Sequence, residues 1–189
     1  VVDSVVSVNT IAQPPAFSIL SSSLTSLAQR RVYPSPKVTI EQKIGLTTME
    51  LEYSRPSLNE RTLEEAIGTR GNSEVWRLGA NENTKISFDK DVTIGGMKLK
   101  AGRYSMYAIP GGEYWTIIIN KAMVWGTQYD QSQDVLRFKA EVNEIPITIE
   151  TFEIHMTDHD NNSKDRANIE ILYGNISVKF PIVVDNSLN

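Results

Sequence analysis

The sequence contains no cysteine. This absence excludes disulfide bonds, thiolate nucleophiles, iron–sulfur clusters and zinc sites that use cysteine ligands. The sequence also has no apolar run close to the roughly 20 residues that a membrane-spanning helix needs, so we expect a protein that does not span a membrane. Any reactive site must therefore use other side chains, and histidine is the first to consider.

Histidine is nearly absent as well, because only His155 and His159 occur. Their spacing suits a metal site on a helix, but here they fall at the end of a predicted strand and in the loop after it. Residues 158–162 begin like a calcium-binding loop, yet Ser163 and Ile169 stand where such a loop needs a glycine and a bidentate acid. The sequence predicts no metal and no cofactor.

The charge balance and the absent motifs limit the function further. The chain has 19 basic and 23 acidic residues, for a net charge of −4. Nucleic-acid binding needs clustered lysine and arginine, so we expect no nucleic-acid partner. The sequence has neither a glycine-rich phosphate-binding motif nor a nucleophile elbow. It therefore favours a protein that is not an enzyme.

Residues 1–31 differ in composition from the rest of the chain. They are rich in serine and contain three charged residues, Asp3, Arg30 and Arg31, together with scattered Val, Ile and Leu. This composition is too apolar for a solvated tail and too irregular for an independent domain. The prolines in residues 33–36 mark a boundary. We predict an extended arm over 1–31 that binds another protein, and a separate domain over 32–189.

The domain shows about ten short runs of alternating apolar residues, separated by turn signals. This pattern predicts an all-β fold, an antiparallel β-sandwich of jelly-roll-like or Greek-key type. Residues 62–67 predict the single short helix, with Thr62 as N-cap, Glu65 in a capping box and Gly68 at the end. Trp125 is expected to cover an edge of the core. The predicted core contains Leu51, Ile86, Phe88, Ile117, Ile119, Phe152, Ile154, Ile171 and Phe180.

One segment, residues 74–84, concentrates residue types that suit a binding pocket. Tryptophan offers a stacking face, arginine a bidentate donor, and amides and acids orient a ligand. A structural loop explains the same residues, since a tryptophan can fill the sandwich edge and asparagines can bond to the backbone. Both interpretations stay open here. The candidate pocket residues are Trp76, Arg77, Asn81, Glu82 and Asn83.

Several motifs occur in an order that resembles the bacterial domain-of-unknown-function family 2911, found mainly in Bacteroidetes. They are VWRLGANENT at 75–84, AGRYSMYAIP at 101–110 and WTIIINK at 115–121. The resemblance covers about residues 33–184. It implies export to the periplasm or cell envelope, but it supplies no activity and no catalytic residues. Leu78 departs from the family, where threonine is typical.

Three functions remain in competition. The first is a non-enzymatic binding or structural module of the cell envelope, as an accessory subunit that docks on a larger assembly through residues 1–31. The second is a hydrolase or small-ligand protein that uses residues 76–84, with Glu74 or Glu82 as base. The third is a carbohydrate-binding sandwich that presents Trp76 and Trp125 as sugar platforms.

Overall fold

A computed structural model describes residues 32–68, 75–125 and 128–187. The predicted arm over residues 1–31 and the candidate base Glu74 lie outside the described residues. From Tyr33 onward the chain forms one compact unit. No described helix is long and apolar enough to cross a membrane.

The described residues form one antiparallel sheet of nine strands, in the order β1-β2-β3-β6-β7-β8-β9-β4-β5. One α-helix, α1, and one short 3₁₀ turn at Gln131–Gln133 accompany the sheet in this part of the chain, and α1 spans Leu63–Ile67. The strands are β1 Lys37–Ile44, β2 Thr47–Ser54, β3 Thr84–Phe88, β4 Val92–Ile94, β5 Met97–Leu99, β6 Gly102–Ile109, β7 Tyr114–Asn120, β8 Asp134–Thr157 and β9 Arg166–Val184.

The sheet folds over on itself where the ladder between its two longest strands shifts register twice, first at a bulge over residues 145–148 and again between Ile149 and Glu153. Glu144 of β8 pairs with Ile176 of β9, and Ile149 pairs with Gly174, so residues 145–148 lie opposite Asn175 alone. Extra residues on one strand bend it and increase its twist. The sequence pattern predicts separate short strands here, whereas the structure has continuous strands of 24 and 19 residues.

Contacts between strands that are not neighbours in the sheet show that the folded sheet packs against itself as a sandwich. The rings of Tyr53 in β2 and Phe152 in β8 pack edge to face, with centroids 5.6 Å apart. The Tyr53 hydroxyl also accepts a hydrogen bond from the backbone N–H of Ile154, at 3.1 Å. The end of β8 therefore lies across the face of β2, and the predicted all-β antiparallel sandwich is confirmed.

The core follows the alternation in the sequence. In β2, Met49, Leu51 and Tyr53 point inward and are buried, as period-two patterning predicts. All nine predicted core residues are buried. The expectation for Trp125 is wrong, because this side chain is 46% exposed in the segment after β7.

Helix α1 is capped at both ends by the predicted residues. The Thr62 hydroxyl accepts from the backbone N–H of Glu65 at 3.2 Å, and the Glu65 carboxylate accepts from the N–H of Thr62 at 2.8 Å. Gly68 ends the helix in the left-handed region, with φ of 34°. Leu63 packs against Gly174 of β9, where a Cβ atom would lie 3.3 Å from the Leu63 Cβ. The helix is thus held against β9 next to the bulge.

Candidate functional site

Residues 76–84, which we call the polar segment, are joined to the sheet at both ends. The N–H of Trp76 donates to the carbonyl of Ala108 at 2.7 Å, and the N–H of Ala108 donates back at 2.8 Å. The N–H of Thr84, at the start of β3, donates to the carbonyl of Arg77 at 3.2 Å. The polar segment is therefore a closed loop beside the end of β6.

Trp76 points into the sandwich and is only 5% exposed. Its ring packs edge to face on Trp115 and Phe152, with centroid distances of 5.7 and 5.1 Å, and lies parallel to Tyr173 at 6.2 Å. Aromatic residues in such clusters supply much of a core's stability. Trp76 thus has no free face on which a sugar ring could stack.

A glycine fixes the polar segment against β2. Gly79 has φ of 143°, a conformation that other residues rarely adopt, and a Cβ atom there would lie 2.7 Å from the carbonyl oxygen of Ser54. Leu78 and Asn81, on either side, also have positive φ angles of 53° and 59°. Only glycine permits this close approach of two backbones.

The two asparagines of the candidate pocket are engaged in local hydrogen bonds. Asn83 is buried and donates to the hydroxyl of Ser105, which in turn donates to the carbonyl of Ala122 at 2.5 Å. Asn81 donates to the carbonyl of Ser35 at 3.0 Å. These bonds hold the polar segment to β6 and to the start of the domain, as the structural-loop interpretation expects.

Glu82 belongs to a cluster of two carboxylates and two ammonium groups. Its carboxylate lies 2.6 Å from Lys85 and 3.5 Å from Lys37, and both lysines also contact Glu52, at 2.9 and 3.2 Å. The hydrogen bond from Lys85 lowers the pKa of Glu82 and that of Glu52, against an opposing effect of burial. Burial acts to lower the pKa of Lys85, but the bonds to both carboxylates outweigh it and raise that pKa. Glu52, Glu82 and Lys85 therefore stay charged at neutral pH.

The electrostatics of Glu82 do not suit general base catalysis. A catalytic base works best when its pKa lies near the working pH, which for a carboxylate requires a raised pKa. The pKa of Glu82 is lowered, and the Lys85 ammonium group occupies one of its oxygens. Glu82 is better described as an ion-pair partner.

The structure brings two of the five candidate pocket residues to one opening. Asn81 and Glu82 line a cleft of about 140 Å³, whose other described lining residues are Tyr33, Ser35, Pro36, Lys37 and Ser54. Trp76 and Asn83 are buried, and Arg77 is half-buried with interactions of its own. Ligand sites usually measure about 300–1,000 Å³. A pocket made from all five residues stays a prediction.

The two histidines form polar contacts at the surface. His155 Nε2 lies 2.7 Å from the carboxylate of Glu153, and His159 Nε2 lies 2.7 Å from the amide nitrogen of Gln42. Within residues 32–68, 75–125 and 128–187, no three side chains of the types that bind metals come together.

A second and larger cleft was not identified by sequence reasoning. Its volume is about 810 Å³. Its walls come from α1, from β6 and β7 with the turn between them, from β8, and from β9 at Asn175 and Ile176. We call it the α1 cleft. Its described lining residues are Leu63, Glu64, Ile67, Ile109, Pro110, Gly111, Gly112, Trp115, Val142, Glu144, Asn175 and Ile176.

Comparison with known proteins gives one match. A family model described as "Protein of unknown function (DUF2911)" matches residues 35–182. No curated protein and no solved structure matches the chain. The matched region begins after residues 1–31, includes the whole α1 cleft and includes every described lining residue of the smaller cleft except Tyr33. Its description gives no activity, so function has to be argued from the structure.

Proposed function

This chain belongs to the family described as "Protein of unknown function (DUF2911)", and we propose a non-enzymatic role for it. In this proposal the domain is a binding or structural module of the periplasm or cell envelope. It serves as an accessory subunit that docks on a larger assembly through residues 1–31. The envelope location rests on the family resemblance alone.

The observation that best supports a non-enzymatic role is the use of the polar segment by the fold. This segment has the residue types of an active site, but Trp76 fills the core, Asn83 bonds to Ser105 and Glu82 pairs with Lys85. A catalytic group must reach a substrate and change its protonation state near the working pH. Side chains that hold strands together are poorly suited to that task.

The binding role for residues 1–31 is supported by composition and by the domain boundary. A compact unit begins at Tyr33, and the described part of the chain from there onward contains a large core of its own. Ordering a chain costs about 1–2 kcal/mol per residue in conformational entropy. A weakly charged segment of this length therefore needs an extensive contact surface, and a partner protein is the natural source of one.

The alternative function is a small-ligand or carbohydrate-binding protein, or a hydrolase, that uses residues 76–84. One observation favours the small-ligand version, namely that Asn81 and Glu82 line the same cleft. The size of that cleft, about 140 Å³, restricts any ligand to a few atoms. The carbohydrate version is disfavoured because Trp76 is buried.

The proposal is tested by deleting residues 1–31. Since Tyr33–Asn189 is a compact unit by itself, we expect the melting temperature to change by less than about 2 °C, as for a surface change under about 0.5 kcal/mol. Partners that co-purify with the tagged full chain from its own cells should be lost. A control chain in which the order of residues 1–31 is shuffled keeps their composition, and it should also lose the co-purifying partners. Unfolding of the shortened domain, with no partner recovered by the full chain, would show that the segment belongs to the fold.

A further inference from the structure

The α1 cleft has the size of a ligand site, and its wall combines apolar and polar surface. Its volume of about 810 Å³ lies within the usual range for bound ligands, about 300–1,000 Å³. Leu63 and Ile67 are spaced four residues apart on α1 and so share one face of the helix. Ile109 and Val142 are half-buried in the facing strands. Ile67 is buried, whereas Leu63, Ile109 and Val142 are half-buried and offer apolar surface that a ligand could cover.

The rim of the α1 cleft is acidic. Glu64 and Glu144 line the cleft and are exposed. No lysine, arginine or histidine occurs among its described lining residues. Glu82 of the polar segment and Glu52 of β2 differ in this respect, because both are paired with lysines. The rim therefore complements a ligand that carries positive charge next to apolar groups.

The exposure of the lining favours an extended chain over a small molecule. Gly111, Gly112 and Asn175 line the cleft and are exposed, as are both glutamates. Small-molecule sites usually bury most of the ligand's surface. An extended peptide can instead place alternate side chains in a groove and leave the others in water.

We propose that the α1 cleft binds an extended peptide segment of a partner protein, in which apolar side chains alternate with lysine or arginine. The apolar side chains cover the wall formed by Leu63, Ile109 and Val142, and the cations face Glu64 and Glu144. This proposal goes beyond the docking through residues 1–31 and uses a different surface. Either proposal can therefore fail without the other.

Gly112 provides a way to block the cleft without disturbing the core. A Cβ atom at this position would meet no other atom within 4 Å. We expect Gly112→Trp to fold normally and to weaken the binding of an alternating leucine–lysine octapeptide by more than tenfold. Gly112→Ala, the matched control, should bind that peptide like the unchanged protein. A thermal melt first checks that each variant, made in the full chain, is folded. Binding to the folded variants is then measured by fluorescence anisotropy of the labelled peptide.

The role of the rim charges is tested separately from that of the wall. Surface ion pairs contribute about 0.2–1 kcal/mol each, so Glu64→Gln with Glu144→Gln should weaken the leucine–lysine peptide roughly two- to thirtyfold. The control, Glu41→Gln with Glu50→Gln, removes two carboxylates that face each other across β1 and β2 and should leave binding within twofold. An alternating leucine–glutamate octapeptide should not bind.

Five results would overturn the proposal, four from binding and one from sedimentation. The binding results are no binding of the leucine–lysine peptide, equal binding by Gly112→Trp, equal weakening by both double variants, or binding of hexylamine as tightly as of the peptide. The last of these four would assign the cleft to a small amine. A dimer in sedimentation that is lost in Gly112→Trp would assign it to a second copy of the chain and would equally rule out the peptide.

Discussion

Replacing Trp76 with alanine should lower the free energy of unfolding by about 3–5 kcal/mol, the usual loss for a buried aromatic side chain. Trp76 is 5% exposed, and its ring contacts Trp115, Phe152 and Tyr173. Alanine would leave a cavity among three rings that cannot all move inward. Urea denaturation monitored by circular dichroism measures the loss.

Trp125 is the matched control for this experiment, since it is 46% exposed. Trp125→Ala should change the free energy of unfolding by no more than about 0.5 kcal/mol, as for most surface substitutions. Trp76→Phe keeps part of the ring packing, so its loss in the free energy of unfolding should fall between those of Trp76→Ala and Trp125→Ala. Equal stability of the Trp76 and Trp125 alanine variants would mean that Trp76 faces solvent, as a ligand platform would.

Replacing Phe152 with alanine should also cost about 3–5 kcal/mol of stability. Phe152 is fully buried in the part of β8 after the bulge, and it packs on Tyr53 and Tyr173 at 5.6 Å from each. It thus joins the folded-over end of β8 to β2. Chemical denaturation of the variant measures the contribution of this contact between the two layers.

Ile147 lies in the bulge of the same strand and provides the comparison. It is 62% exposed, so Ile147→Ala should cost less than about 0.5 kcal/mol. A similarly small loss for Phe152→Ala would show that the end of β8 does not pack across β2. Because Phe152 and Trp76 are in contact, the double alanine variant should lose less stability than the sum of the single losses.

The sequence was informative where local patterns decide the structure. The alternation of Met49, Leu51 and Tyr53 is enough to orient β2, because successive side chains of a strand point to opposite faces. Thr62, Glu65 and Gly68 define α1 through bonds between residues close in the chain. Such features need no knowledge of distant partners, and the structure confirms them.

Contacts between residues distant in the chain account for the places where the structure differs from the sequence-based predictions. The pattern around residues 145–148 indicates a break, but it cannot show that the β8 ladder resumes beyond a bulge opposite Asn175. Trp125 is apolar and follows a strand, yet its exposure depends on how the segment after β7 crosses the surface. Local sequence contains neither of these relationships.

For the candidate site too, local sequence does not decide the role of the residues. Trp, Arg, Asn and Glu serve a ligand pocket or a structural loop equally well, and the partners decide between them. For the polar segment those partners include Ser35, Ser105, Ala108 and Lys37, which are far from it in the chain. The α1 cleft could not be predicted either, because one helix, four strands and the β6–β7 turn supply its lining.

Hydrogen exchange of the native protein tests most directly the central claim that the polar segment is part of the fold. The amides of Trp76, Ala108 and Thr84 donate the backbone bonds that close this segment. If it belongs to the core, these amides should exchange only through openings whose free energy matches that of global unfolding. Ligand-binding loops open at much lower free energy. Exchange of the Trp76 and Thr84 amides as rapid as that of the exposed Gly112 would contradict the account.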